Sequence, residues 1–140
     1  MSETIEDKLV RIGLKWIDTP WDHNQRSIGI GVDCIRLLDE IGKEAGLTIE
    51  PLPEHYNKTP QGNSFQDYLD RNFDLIGKTI EAVQKGKILL FQLRGIYTHV
   101  GIATSTETFL HANSDVGRVM VQPLNGKFER VLSGVYEVRR

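Results

Sequence analysis

Cysteine is scarce in this sequence: of 140 residues one, Cys34, carries a thiol. A lone thiol excludes an internal disulfide and the closed, cysteine-rich zinc shells that hold many small domains together. Long apolar runs are absent as well, so no segment is suited to span a bilayer as a helix. The amino terminus, Met1-Ser2-Glu3-Thr4-Ile5-Glu6-Asp7, is acidic with no apolar stretch behind it, which is not the pattern of a signal peptide. The expectation is synthesis in the cytoplasm, with any work outside the cell depending on another export route. An excess of one charge sign is also lacking. The net charge of -2 gives no broad basic surface for nucleic acid or an anionic membrane.

What is present suits one globular unit. A hydrophobic content of 39% and a charged content of 26% are ordinary for a folded protein, and 140 residues allow a single core. Residues 1–140 are therefore read as one domain. Ile5, Leu9, Ile12 and Trp16 stand at helical spacing within residues 4–17. Asp18-Thr19-Pro20 closes that helix, because Pro20 pushes Thr19 out of the helical region. Residues 21–31 read as a loop. A second helix starts at or just before Cys34, which shares a face with Leu37, Leu38, Ile41 and Ala45, and Gly46 is its natural stop. Pro51, Pro53 and Pro60 make residues 48–62 an irregular connector. Ser64 followed by Asp67 resembles a capping box, ahead of an apolar stripe of Phe65, Tyr68, Leu69 and Phe73. After Ile76 the pattern changes to short β-branched and aromatic runs at residues 87–93, 97–104, 106–112, 118–122 and 131–138. Helices first and a meandering sheet second predict an α+β fold with an antiparallel sheet.

Cys34 lies where the glycine-punctuated loop Gly29-Ile30-Gly31-Val32-Asp33 meets the second helix. A thiol in a helix's first turn feels unpaired N–H groups and the positive end of the backbone dipoles, which favour the thiolate. His99 and His111 fall on consecutive predicted strands. If those strands pair as a hairpin, the two rings can lie near each other on one face. A cysteine at a helix start facing a histidine on a sheet, with a second polar group behind it, is the arrangement of a thiol hydrolase. Plainer readings stand beside this one. Cys34 could be a small buried hydrophobe and His99 a satisfied core histidine, and on composition alone these come first. His23, between Asp22 and Asn24, reads as a loop residue, and His55 as a solvated one. Cys34, His99 and His111 could also offer three metal ligands, but their separations match no compact zinc spacing, so no metal and no other cofactor is expected.

Taken together, Thr19-Pro20-Trp21, Gly31-Val32-Asp33-Cys34, His99-Val100-Gly101-Ile102 and Phe109-Leu110-His111-Ala112 occur in an order that resembles the NlpC-type cysteine peptidases. These are bacterial and phage enzymes that cleave peptidoglycan stem peptides. The resemblance implies a papain-like α+β fold and carries Cys34 over as nucleophile, His99 as general base and His111 as the orienting third member. It places Trp21 where the family has a tyrosine near the oxyanion, and Asp33 where an acidic residue contacts a substrate amine in some members. The loop from Asp22 to Cys34 looks closest to a branch found at the tail tips of long-tailed phages, which implies phage tail proteins as partners and a virion as the destination. Two departures stand out. Ile35 and Arg36 follow Cys34 where many members have serine and glycine, and Gly86-Lys87 stands where many have Gly-Asp. They motivate a second reading, a structural tail-tip component with weak or no hydrolysis. Acyl transfer or lipid-ester chemistry, also hosted by related folds, ranks last.

Overall fold

A computed structural model describes residues 3–52, 56, 64–93 and 97–139. Helix α1 (Ile5–Leu14) starts where the Thr4 hydroxyl accepts the Asp7 N–H at 3.0 Å, satisfying one of the donors a helix start leaves unpaired. It stops at Leu14 rather than at residue 17. Asp18 turns to φ 72°, and the chain runs out along the last strand of the sheet. There Asp18 N–H donates to Val119 O and Val119 N–H to Thr19 O, each at 2.9 Å, which covers an otherwise open edge.

The stretch read as a loop holds a small hairpin, β1 (Arg26–Ser27) and β2 (Gly31–Val32), and leads into α2 (Cys34–Glu44). Gly46, at φ 92°, ends α2 in the left-handed conformation that glycine takes without strain. The next helix, α3 (Ser64–Asn72), begins at Ser64. The residues just before it, and His55, lie outside the described ones. Strand β3 (Phe73–Gly77) follows α3 directly, so Phe73 is a strand residue and not the end of the helical stripe. A 3₁₀ turn at Ile80–Ala82 precedes β4 (Ile88–Leu93), β5 (Tyr97–Ala103), β6 (Thr108–Asn113) and β7 (Arg118–Pro123). A six-residue helix α4 (Gly126–Val131), which Asn125-Gly126 disguises as a plain turn, then leads into β8 (Leu132–Val138).

Among the described residues the larger sheet has six antiparallel strands in the order β3-β8-β4-β5-β6-β7. Strand side chains alternate between faces, and here both faces are buried. One carries Ile88, Leu90, Val100, Ile102, Leu110 and Ala112 and packs against Leu9 and Ile12 of α1, Ile35, Leu38 and Ile41 of α2, and Phe65 and Leu69 of α3. The other carries Leu89, Phe91, Ala103, Phe109 and Val135 and is covered by Phe128 of α4. The expected α+β arrangement of helices and antiparallel sheet is therefore present, as three layers.

Candidate active site

The start of α2 is fixed by Asp33. Its extended backbone breaks the helix, and its Oδ1 accepts the Arg36 N–H at 3.0 Å as the N-cap. Oδ2 accepts the Asn24 N–H at 2.6 Å and the Tyr56 hydroxyl at 2.5 Å, and His23 Nδ1 stands 3.6 Å away. Asp33 is buried. Both of the oxygens assigned to a substrate amine by the resemblance are thus committed inside the protein, as cap and latch. Arg36 is buried too. Its Nε donates to Asn24 Oδ1 at 2.9 Å, and its guanidinium carbon lies 5.2 Å from the centre of the Tyr56 ring. The residue that departs from the family pattern thus ties the loop ahead of Cys34 to the helix behind it. His23 is a loop residue, as read, and stands edge-on to Tyr56 at 5.2 Å.

Trp21 reaches the same region through its backbone. It bridges Val32, two residues ahead of Cys34, and donates its N–H to Gly117 O at 2.9 Å. Its half-buried side chain packs against the larger core cluster.

Cys34 is 9% exposed. The backbone N–H groups of Val100, Ile35 and Cys34 itself are directed at its sulfur. They act in the direction expected of a helix start, but burial outweighs them. Burial, reinforced by the charge of Asp33, pushes the thiol up to about 12. The thiolate expected from the helix position is thus corrected to a resting neutral thiol.

The Val100 amide reaches the sulfur because the sheet opens there. β4 pairs with β5 along the whole of β4, from Ile88 to Leu93, and β6 with β7 from Thr108 to Asn113, whereas β5 and β6 pair at Ile102–Leu110 and Ala103–Phe109 alone. Successive residues of an antiparallel strand bond to alternate neighbours. Ala103 N–H donates to Lys87 O beside β4, so Val100 N–H points the other way, to where β6 has moved off. The first turn of α2 sits at that opening.

His99 and His111 flank it on the face covered by α4. His99 Nε2 and His111 Nδ1 are 2.7 Å apart, with the rings nearly perpendicular at 78°. His111 Nε2 meets Gln122 Oε1 at 2.5 Å. Phe91, Phe109 and Phe128 enclose the pair. This desolvation holds both rings neutral. It lowers His99 well below the ordinary histidine range, with His111 and Lys127 adding to the effect. It lowers His111 to about 4 against the opposing effect of its hydrogen bond to the Gln122 oxygen. Gly101 lets the strands approach closely at this point, since a Cβ there would lie 2.9 Å from Leu110 O.

The structure therefore joins His99 to His111 directly, and sets the Cys34 sulfur at the amide of the residue after His99. Asn24, Arg36, Tyr56 and Gln122 were not singled out as site residues by the sequence reading. Arg36 had a signal, as a charged residue inside the first turn of an otherwise apolar helix face. Gln122 had none, since its partner is set by strand register. Among the described residues no three His, Cys, Asp or Glu side chains converge as a metal site.

The sequence profile of the NlpC/P60 family matches residues 19–133, and the chain belongs to that family. No curated protein matches it. Among solved structures it is similar to an NlpC/P60 family protein from Bacillus cereus, with 24% identity, a TM-score of 0.72, and coverage of 95% of this chain and 40% of that one. It is also similar to the NlpC/p60 domain of the peptidoglycan hydrolase SagA, with 16% identity, a TM-score of 0.69, and coverage of 95% and 98%. A third is the peptidoglycan hydrolase RipB from Mycobacterium tuberculosis, with 14% identity, a TM-score of 0.71, and coverage of 97% and 66%. The fold is the papain-like α+β fold of these neighbours. The chain spans about two fifths of the Bacillus cereus protein.

Proposed function

We propose that this domain is a cysteine peptidase that hydrolyses an amide bond in peptidoglycan stem peptides. The observation that carries the reading is the His99–His111 contact at 2.7 Å beside a sulfur held at the Val100 amide. Cys34 is the nucleophile, His99 the base and His111 the residue that orients it. As the sulfur bonds to the scissile carbonyl carbon, the thiol proton passes to His99. Backbone N–H groups at the start of α2 stabilise the oxyanion. The imidazolium then gives its proton to the leaving amine, the C–N bond breaks, and a thioester remains. Water, deprotonated by His99, attacks the thioester, releasing the acid and restoring the thiol. A neutral thiol beside a neutral imidazole suits this sequence, because charge separates only when substrate is present.

The finer reading is a bond at or near D-glutamate and its neighbouring diamino acid, in a protein carried on a phage tail. The loop from Asp22 to Cys34 supports the tail association, and purified virions that contain the chain would bear it out. The deciding experiment incubates the protein with purified stem peptides and follows products by mass spectrometry. Cys34→Ala is expected to abolish cleavage while leaving the circular dichroism spectrum unchanged. Equal cleavage by that variant overturns the peptidase reading.

The raised thiol pKa favours a second reading, a structural domain without turnover. Simple alkylation is slow at neutral pH under both readings, because it follows the thiolate. A slow substrate analogue with an acylating carbonyl separates them better: acylation of Cys34 in wild type that is lost in His99→Ala supports the peptidase, and no acylation of either supports the structural role.

A further inference from the structure

The donors and acceptors around the histidine pair fix where each proton sits, starting from two backbone amides. Asn113 Oδ1 accepts the N–H groups of Asp115 and Val116 at 2.9 and 3.0 Å. A backbone N–H can only donate, so that side-chain atom must be oxygen, and the Asn113 amide nitrogen faces the other way. There Asn113 Nδ2 lies 3.2 Å from Gln122. Nδ2 can only donate, so the Gln122 atom it meets is the oxygen. The same oxygen lies 2.5 Å from His111 Nε2, which must therefore carry a proton. A neutral imidazole has one N–H, so His111 Nδ1 is bare and accepts. Its partner at 2.7 Å, His99 Nε2, then has to donate. This leaves His99 Nδ1 as the ring's basic nitrogen.

We infer that Gln122, held by Asn113, is the positioning residue that sets this polarity: both rings are protonated on Nε2, and Nδ1 of His99 is left bare to take a proton. The inference deepens the peptidase reading and rests on it for its consequence in rate. The assignment of protons rests on the hydrogen bonds alone. Without the Gln122 oxygen, a buried His111 is free to move its proton to Nδ1. Two N–H groups would then face each other across the pair unless His99 also changed tautomer, and in that case its Nδ1 would carry the proton and its bare Nε2 would be engaged by His111. His111, Asn113 and Gln122 lie on β6 and β7, which pair throughout, so the geometry of the Gln122–His111 contact is that of a sheet and not of a loop.

The test has two independent parts. Long-range nitrogen–proton NMR correlations on the nitrogen-15-labelled wild-type protein near neutral pH report the tautomer of each ring. Both histidines are expected as the Nε2–H form, and an Nδ1–H form at His111 overturns the inference whatever the enzyme does. The second part measures stem-peptide cleavage against pH for two variants. Gln122→Leu is expected to lower kcat/KM about tenfold, mostly in kcat, the loss expected from one hydrogen bond in the transition state. Gln122→Glu restores an acceptor and is expected to keep the neutral rate within a few-fold. It should also move the acid limb of the profile to higher pH, because a carboxylate stabilises a doubly protonated His111 that no longer accepts from His99. Acid limbs that coincide in wild type and Gln122→Glu overturn the positioning role. A wild type with both rings protonated on Nε2 that cleaves no stem peptide supports the proton assignment and counts against the peptidase reading.

Discussion

At the scale of single residues, Cys34, His99 and His111 are held in their uncharged forms. The thiol of Cys34 stands near 12, and His111 near 4. One consequence is measurable without substrate. A small alkylating agent reacts with thiolate, so its rate in the resting protein should keep rising well above pH 9, without the plateau near neutrality of a cysteine already ionised. A plateau below pH 8 would show that the sulfur rests as thiolate. Sequence patterns exposed Cys34, His99 and His111 because each stands in a short motif. They did not expose Gln122 or Asn113, whose roles come from pairings across β6 and β7. Asp33 was visible, but its function as cap and latch was not, since Asn24 and Tyr56 reach it from nine residues before and 23 residues after.

At the scale of elements, two joints hold the site. The first is the start of α2. Asp33→Ala removes a helix cap and the acceptor for Asn24 and Tyr56, and it should cost about 2–3 kcal/mol in chemical denaturation. A loss below 0.5 kcal/mol, by the same measure, would mean that other groups anchor the loop. Asp33→Asn, which keeps the cap oxygen, should recover part of the loss. The second joint is the close approach of β5 and β6 at Gly101. Gly101→Ala places a methyl group against Leu110 O and the Phe109 ring, with His111 Cβ 3.4 Å away. The strands must separate to admit it. Expected are a loss of about 1–3 kcal/mol and a drop in cleavage larger than that in a variant of equal stability far from the site. Matched losses of activity in the two variants would remove the special role given to Gly101. The small elements β3 and α4 escaped the sequence reading. Five or six residues hold too little period to be told apart from a helix end or a turn.

For the whole molecule, the two histidines lie between the sheet and α4, and they couple folding to pH. Both have folded pKa values below the ordinary 6.5, so on acidification the unfolded chain takes up protons first. Stability from this source is full above about pH 7. It is lost as pH falls from 6.5 toward 4 through His111, a difference of about 3 kcal/mol, and His99 shifts in the same direction. Melting temperatures between pH 7 and pH 4 should therefore fall more steeply for wild type than for His111→Asn. Parallel curves would mean that the carboxylates account for the acid sensitivity. The layered α+β architecture was legible because helical and strand periods separate cleanly along the chain. The parting of β5 from β6 was not, since residue types on both strands read as continuous β-structure.

The buried, protonated state of Cys34 also bears on chemical survival. Peroxide and related oxidants attack sulfur as the anion, and a sulfenic acid is rescued most readily when a second thiol stands close enough to condense with it. This chain holds no second thiol. On the peptidase reading, keeping the sulfur as S–H until substrate arrives would shield the nucleophile from a lesion that no neighbouring thiol could mend.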